Sequence, residues 1–133
     1  VGPSFGNNFN NRVEEALGNA ADINTAFREG AFGESMKPFV GYMFVLEDCP
    51  GSRNPVQLNS PHFPAMAEFE NTSYATRYEV FCRKMVHEQL YDAAALVMTK
   101  KGRPVIWSDL SESTSAKRFA IALAGKISAL SLE

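Results

Sequence analysis

Four asparagines within five residues, Asn7, Asn8, Asn10 and Asn11, run directly into Arg12. A carboxamide offers a donor and an acceptor together, and a guanidinium offers a fixed fork of donors, a combination suited to reading a base edge or holding a phosphate. The same side chains have a conformational use. Gly2, Pro3 and Gly6 forbid a regular element ahead of them, and apolar residues then begin to recur at helical spacing. Asn7 or Asn8 can therefore cap a helix by accepting from an unpaired backbone N–H, which leaves Asn10 and Asn11 over. Capping and ligand contact both stay open from residue types alone.

Other chemistry is sparse. The sequence holds no Gly-rich phosphate loop, no nucleophile elbow and no pair of histidines at ligand spacing. His62 falls in a proline-rich loop and His87 on a charged helix, so both read as structural or solvated. Cys49 and Cys82 read as small core fillers without metal-type neighbours. Asn71-Thr72-Ser73 matches a glycosylation sequon and equally marks a helix start, which is the better fit without a secretion signal. Arg77, Arg83 and Lys84 read as a solvated helix face, and Glu14 and Glu15 as carboxylates complementing a helix dipole.

These groups must be held by one domain. The chain has 133 residues, 45% hydrophobic, with 10 Phe, which is ample for a packed core. A formal charge of -2, from 13 basic and 15 acidic side chains, excludes an indiscriminate nucleic-acid coat, so any DNA contact must be local. The cysteine usage fits a reducing compartment, and no apolar run reaches membrane length; together they predict a cytoplasmic protein with no membrane partner. The first residue is Val rather than Met and lies in a loop, which predicts a preceding region. Residues 1–131 are expected to form a single domain, with Leu132-Glu133 the remnant of an expression tag.

The spacing of Phe9, Val13, Ala16, Leu17, Ala20 and Phe27 predicts a first helix, with Asn8, Asn11 and Glu15 along a polar edge. Phe39 to Leu46 is a short apolar run without clean alternation, which predicts a central strand covered on both faces. The prolines between Cys49 and Asn71 predict a long loop. Tyr74, Tyr78, Phe81, Cys82 and Met85 give a second helical stripe. Leu90 to Thr99 reads as helix because of Ala93 to Ala95, although Leu96-Val97 equally suits a strand. Val105 to Trp107 predicts a short strand, Ser111 to Ser115 a polar cap, and Phe119 to Leu130 a last amphipathic helix. The class is α/β, helix-rich with few strands.

The opening Val1-Gly-Pro-Ser-Phe-Gly-Asn-Asn-Phe-Asn-Asn-Arg12 with Glu14-Glu15-Ala16 resembles a signature of the XhoI-type family of type II restriction endonucleases. Ala26 to Gly33, Gly41-Tyr42 leading into Leu46 to Pro50, Ser73 to Ala75 with Arg77 to Glu79, and Leu90 to Ala95 continue the likeness in order. Lys100 to Ser113 match poorly. The resemblance implies a PD-(D/E)xK nuclease fold, present here in part, and Mg²⁺-dependent cutting of double-stranded DNA at a CTCGAG-like palindrome by a homodimer. In such sites two carboxylates hold the metal and a lysine positions or activates water.

The sequence departs from that pattern, because no Asp or Glu has Lys two positions later and no Pro-Asp pair occurs. No catalytic or metal-ligating residue is therefore assigned within the chain. The chain is expected to be the carboxy-terminal part of the enzyme, with Mg²⁺ bound mainly by residues upstream. On the family's pattern the opening follows the metal-binding strand, which implies DNA contacts from Ser4, Asn7, Asn8, Asn11 and Arg12. Glu15 is expected to remain solvated. The alternatives are a non-catalytic α/β interaction module and a DNA-binding domain without hydrolysis.

Overall fold

A computed structural model describes residues 2, 4–57 and 67–132. Among them are four α-helices, α1 (Phe5–Arg28), α2 (Pro50–Arg53), α3 (Tyr74–His87) and α4 (Ala116–Leu130). Three strands, β1 (Gly41–Glu47), β2 (Ala93–Lys100) and β3 (Ile106–Asp109), form a sheet in the order β1-β2-β3. β1 and β2 are parallel, with Gly41 opposite Ala93 and Glu47 opposite Thr99. β3 returns antiparallel to β2. This confirms the α/β class.

The expected helix from Leu90 to Thr99 is the largest correction. Ala93 to Lys100 is the middle strand, and its first six residues are buried. Alanine favours a helix in isolation, but here packing decides. Ala94, Leu96 and Met98 join Tyr78, Cys82 and Met85 of α3 in one core. The alternate residues, Ala93, Ala95 and Val97, are buried on the face that α4 covers. Small side chains let both helices approach.

β1 was expected in the centre, yet it lies at one edge of the described sheet. Phe44 and Leu46 are buried, whereas Met43 and Val45 on the opposite face are exposed. α4 forms where its stripe predicts, and Ser115 caps it by accepting from the N–H of Arg118. No α4 residue is buried, and Ile121 and Ile127 face solvent. The segment expected to be one loop contains α2 and a 3-10 turn at Ala67–Phe69. His62 lies outside the described residues.

Helix α3 starts as expected, Ser73 accepting from the N–H of Thr76. Cys82 is completely buried there, and that burial pushes its thiol up to about 12. Cys49 is half-buried. Ellman's reagent should therefore titrate Cys49 alone in the native protein, with Cys82 reacting only after unfolding, because the thiolate is the nucleophile. Two rapidly reacting thiols in the native state would contradict this packing.

Candidate nucleic-acid interface

Helices α1 and α3 run together on one face of the sheet. Phe5 stacks on Tyr74 at a ring separation of 5.9 Å, and Phe9 meets Tyr78 edge-on at 4.9 Å. Further along, the hydroxyl of Tyr91 donates to the carbonyl of Ala16 at 2.7 Å. These contacts bring the amino-terminal ends of both helices to the carboxyl ends of β1 and β2. Gly51 of α2 sits there too, where a Cβ would come within 2.7 Å of the Phe5 ring. In open α/β sheets this end is where ligands bind.

The opening residues do not have the local arrangement that their types suggested. α1 begins at Phe5, so Asn7 and Asn8 lie inside the helix and neither caps it. Ser4 occupies the N-cap position with φ 68° and ψ 41°, left-handed, and makes no side-chain cap bond. A non-glycine residue held there costs on the order of 1 kcal/mol or more. Glu14 and Glu15 are likewise too far along to complement the dipole, and the first turn contains no acid. Among the described residues the positive end of the helix is thus not neutralised by an acid of its own first turn, and such an end attracts anions.

Helical periodicity sets Asn7, Asn8, Asn11, Arg12 and Glu15 within about 140° of the helix surface, away from Phe9, Val13 and Ala16, while Asn10 falls outside that arc. Ser4, Asn7 and Asn11 are exposed, and Asn8 and Arg12 are half-buried. Asn7, Asn8, Asn11 and Arg12 therefore lie on one polar face, with Ser4 at the N-cap ahead of them. Glu15 is exposed, as expected, and also has two partners. Its carboxylate pairs with Arg12 Nη1 at 2.6 Å and accepts from the Tyr42 hydroxyl at 3.1 Å. Burial, and then the bond to Glu15, raise the Tyr42 phenol above its ordinary range. The half-exposed Arg12–Glu15 pair is worth about 1 kcal/mol or less, so Arg12 is oriented but can readily exchange Glu15 for a phosphate.

Arg77 also departs from expectation. It is buried rather than solvated, with its guanidinium over the Tyr74 ring at 5.3 Å and Nε donating to Thr72 Oγ1 at 3.2 Å. It supports the α3 amino terminus. Arg83, Lys84 and His87 are exposed, as their positions implied.

A charged group at the same end of the sheet was missed from sequence. Glu47 ends β1, Asp48 follows it, and Lys100 and Lys101 stand at the end of β2. Asp48 accepts from Arg53 Nε at 2.6 Å and has Lys100 Nζ at 4.0 Å; Glu47 pairs with Lys101 Nζ at 3.2 Å. The bond from Arg53 holds the Asp48 carboxyl below its usual range. Two acids after one apolar run and two lysines after another are a legible signal only once the runs are known to be parallel neighbours. Mg²⁺ requires several oxygen ligands, whereas both of these carboxylates are engaged by cations. Among the described residues no group of three His, Cys, Asp or Glu is assembled to hold a metal. The described donors do not fit a Mg²⁺ site by themselves.

No helix among the described residues is long and apolar enough to cross a membrane. A family model described as restriction endonuclease XhoI matches residues 1–108. The type II restriction enzyme BstVI of Geobacillus stearothermophilus is 58% identical over 101 residues, which are 76% of this chain and 45% of that protein. The type II restriction enzyme XhoI of Xanthomonas vasicola is 56% identical over 86 residues, 65% of this chain and 35% of that protein. AbrI of Azospirillum brasilense, also a type II restriction enzyme, is 62% identical over 63 residues, 47% of this chain and 28% of that protein. The chain thus spans less than half the length of these relatives. No solved structure matches it. With more than half of its residues matched by the family model, the chain belongs to the XhoI restriction endonuclease family.

Proposed function

We propose that this chain is the carboxy-terminal part of a type II site-specific deoxyribonuclease of a restriction-modification system, cutting double-stranded DNA at a CTCGAG-like palindrome. The supporting observation is the polar face of α1. In a chain of this family, Asn7, Asn8, Asn11 and Arg12 share one face of α1, behind Ser4 at its N-cap, and the helix begins at the ligand-binding end of the sheet. Ser4, Asn7, Asn8, Asn11 and Arg12 contact the duplex, chiefly at phosphates, which such donors use to fix register. The fold is a part of the PD-(D/E)xK type. Mg²⁺ is the cofactor, and its carboxylates and lysine belong mainly to polypeptide outside these residues. The enzyme is a cytoplasmic homodimer, a two-fold partner for a palindrome.

Arg12 carries the test. Fluorescence anisotropy with a CTCGAG duplex should show Arg12→Ala weakening binding on the order of tenfold at 0.1 M salt and lowering the salt slope by about 0.9. Tyr42→Phe should have a smaller effect, since it removes a bond to Glu15 and leaves the guanidinium. Unchanged affinity in Arg12→Ala would count against the α1 face as the point of contact.

A further inference from the structure

The hairpin joining β2 to β3 lies beyond the residues with a role in the proposed function. Lys100, Lys101 and Arg103 put three cations within four residues at its tip, in a chain of net charge -2. The lysine side chains are 62% and 78% exposed, whereas those of Asp48 and Glu47 beneath them are 14% and 19% exposed. The acids therefore form a covered lower layer and the cations an exposed upper one. Arg53 pairs with the same Asp48 and is itself exposed. Counting Arg53, Lys100, Lys101 and Arg103 against Glu47 and Asp48, the local charge is +2, opposite in sign to the whole chain.

This group is continuous with the α1 entrance. One oxygen of Glu47 pairs with Lys101, and the other lies 3.3 Å from where a Cβ on Gly2 would stand. A cleft of about 390 Å³ separates the opening turn from the hairpin, with Gly2 on one side and Lys100, Lys101 and Gly102 on the other. Val105, Ile106 and Trp107 follow the tip and are all more than half exposed. An aromatic side chain beside clustered cations suits the sugar-phosphate surface of a nucleic acid better than it suits water.

We infer that the tip of the β2–β3 hairpin, through Lys100, Lys101 and Arg103, grips the phosphate backbone of duplex DNA beside the α1 entrance, with Glu47 and Asp48 holding the two lysines in position. This rests on the proposed DNA function but assigns a second contact surface, about a hundred residues away in sequence. A protein partner seated on Ile106 and Trp107 is the rival. Three cations at an exposed tip favour the polyanion.

The whole chain is titrated into a labelled CTCGAG duplex at several NaCl concentrations. Replacing Lys100 and Lys101 together by Gln should lower the salt slope by about 1.8 and weaken binding on the order of tenfold per lysine at 0.1 M salt. Lys126→Gln serves as the control, because Lys126 donates to the carbonyl of Lys37 ahead of β1, at the opposite end of the strands. Its slope should match the native one, and thermal melting should show all variants folded. Weaker binding by Arg12→Ala together with native binding by the lysine pair would overturn the hairpin grip and leave the proposed function standing. No duplex binding by the native chain would overturn both. A lysine-pair variant that binds DNA normally but loses self-association would assign the hairpin to a protein partner and overturn the grip.

Discussion

Mixed with Mg²⁺ and a duplex carrying CTCGAG, the 133-residue chain should leave the DNA uncut, while the longer enzyme proposed above should cut both strands. The expected difference is the whole catalytic effect, since nucleases act on bonds whose uncatalysed hydrolysis is slower by many orders of magnitude, on the order of 10⁶ at the least. In the mechanism proposed above, such cutting uses a metal held by oxygen ligands to activate the attacking water. The acidic pair at the carboxyl end of β1, Glu47 and Asp48, is engaged by Lys101 and Arg53. Releasing either acid for a metal would leave a cation unpaired beside it. Mg²⁺-dependent cleavage that copurifies with the chain and disappears in Glu47→Gln or Asp48→Asn would overturn this placement. Gel electrophoresis of supercoiled plasmid is sensitive enough to detect a single nick.

Tyr78 should show the largest stability effect, and one whose direction depends on the replacement. Its side chain is fully buried, 4.9 Å from the Phe9 ring and 5.0 Å from the Phe44 ring between centroids, so it joins α1, α3 and β1. Tyr78→Ala should cost about 3–5 kcal/mol, a large share of the ~5–15 kcal/mol typical of a domain. Its hydroxyl, however, finds no partner among the described residues, and burial pushes the phenol up to about 12. Tyr78→Phe should therefore be neutral or stabilising by about 1 kcal/mol, because it removes a desolvated polar group and keeps the ring. Urea midpoints of the three proteins test both signs. A Phe variant as unstable as the Ala variant would show that the hydroxyl is bonded. Loss of α1 docking in Tyr78→Ala should also displace the polar face above it.

The α1 entrance shows how far residue types reach. The composition of Asn7, Asn8, Asn11 and Arg12 foretold a polar helix entrance, but not its geometry. Helix ends are set by a balance of about 1 kcal/mol between caps. Here Phe5 packs against Tyr74 and Gly51, and the helix starts two residues ahead of the first asparagine. The bond between Glu15 and Tyr42 is not legible in the sequence, because Tyr42 is 27 residues away and belongs to a strand. Arg77 was assigned to the wrong side of α3, since an arginine can bury its stem under an aromatic ring without breaking the helical pattern.

Local periodicity by itself determined α1, α3 and α4, because their apolar stripes extend over several turns and no other element fits that spacing. The alternation of helical stripes with short apolar runs carried the α/β class, while the family likeness rested on the resemblance of quoted motifs and the absence of an acid-x-Lys pair on reading each acid in turn. Only the tertiary structure decided that Ala93 to Lys100 is a strand, since a short apolar run has no period of its own and takes whichever form its neighbours bury. That decision in turn placed Lys100 and Lys101 beside Glu47 and Asp48, because parallel pairing brings together chain ends that are more than fifty residues apart. Side-chain chemistry is written in the sequence; which chemistries meet depends on strand order, fixed by burial spread over the whole core.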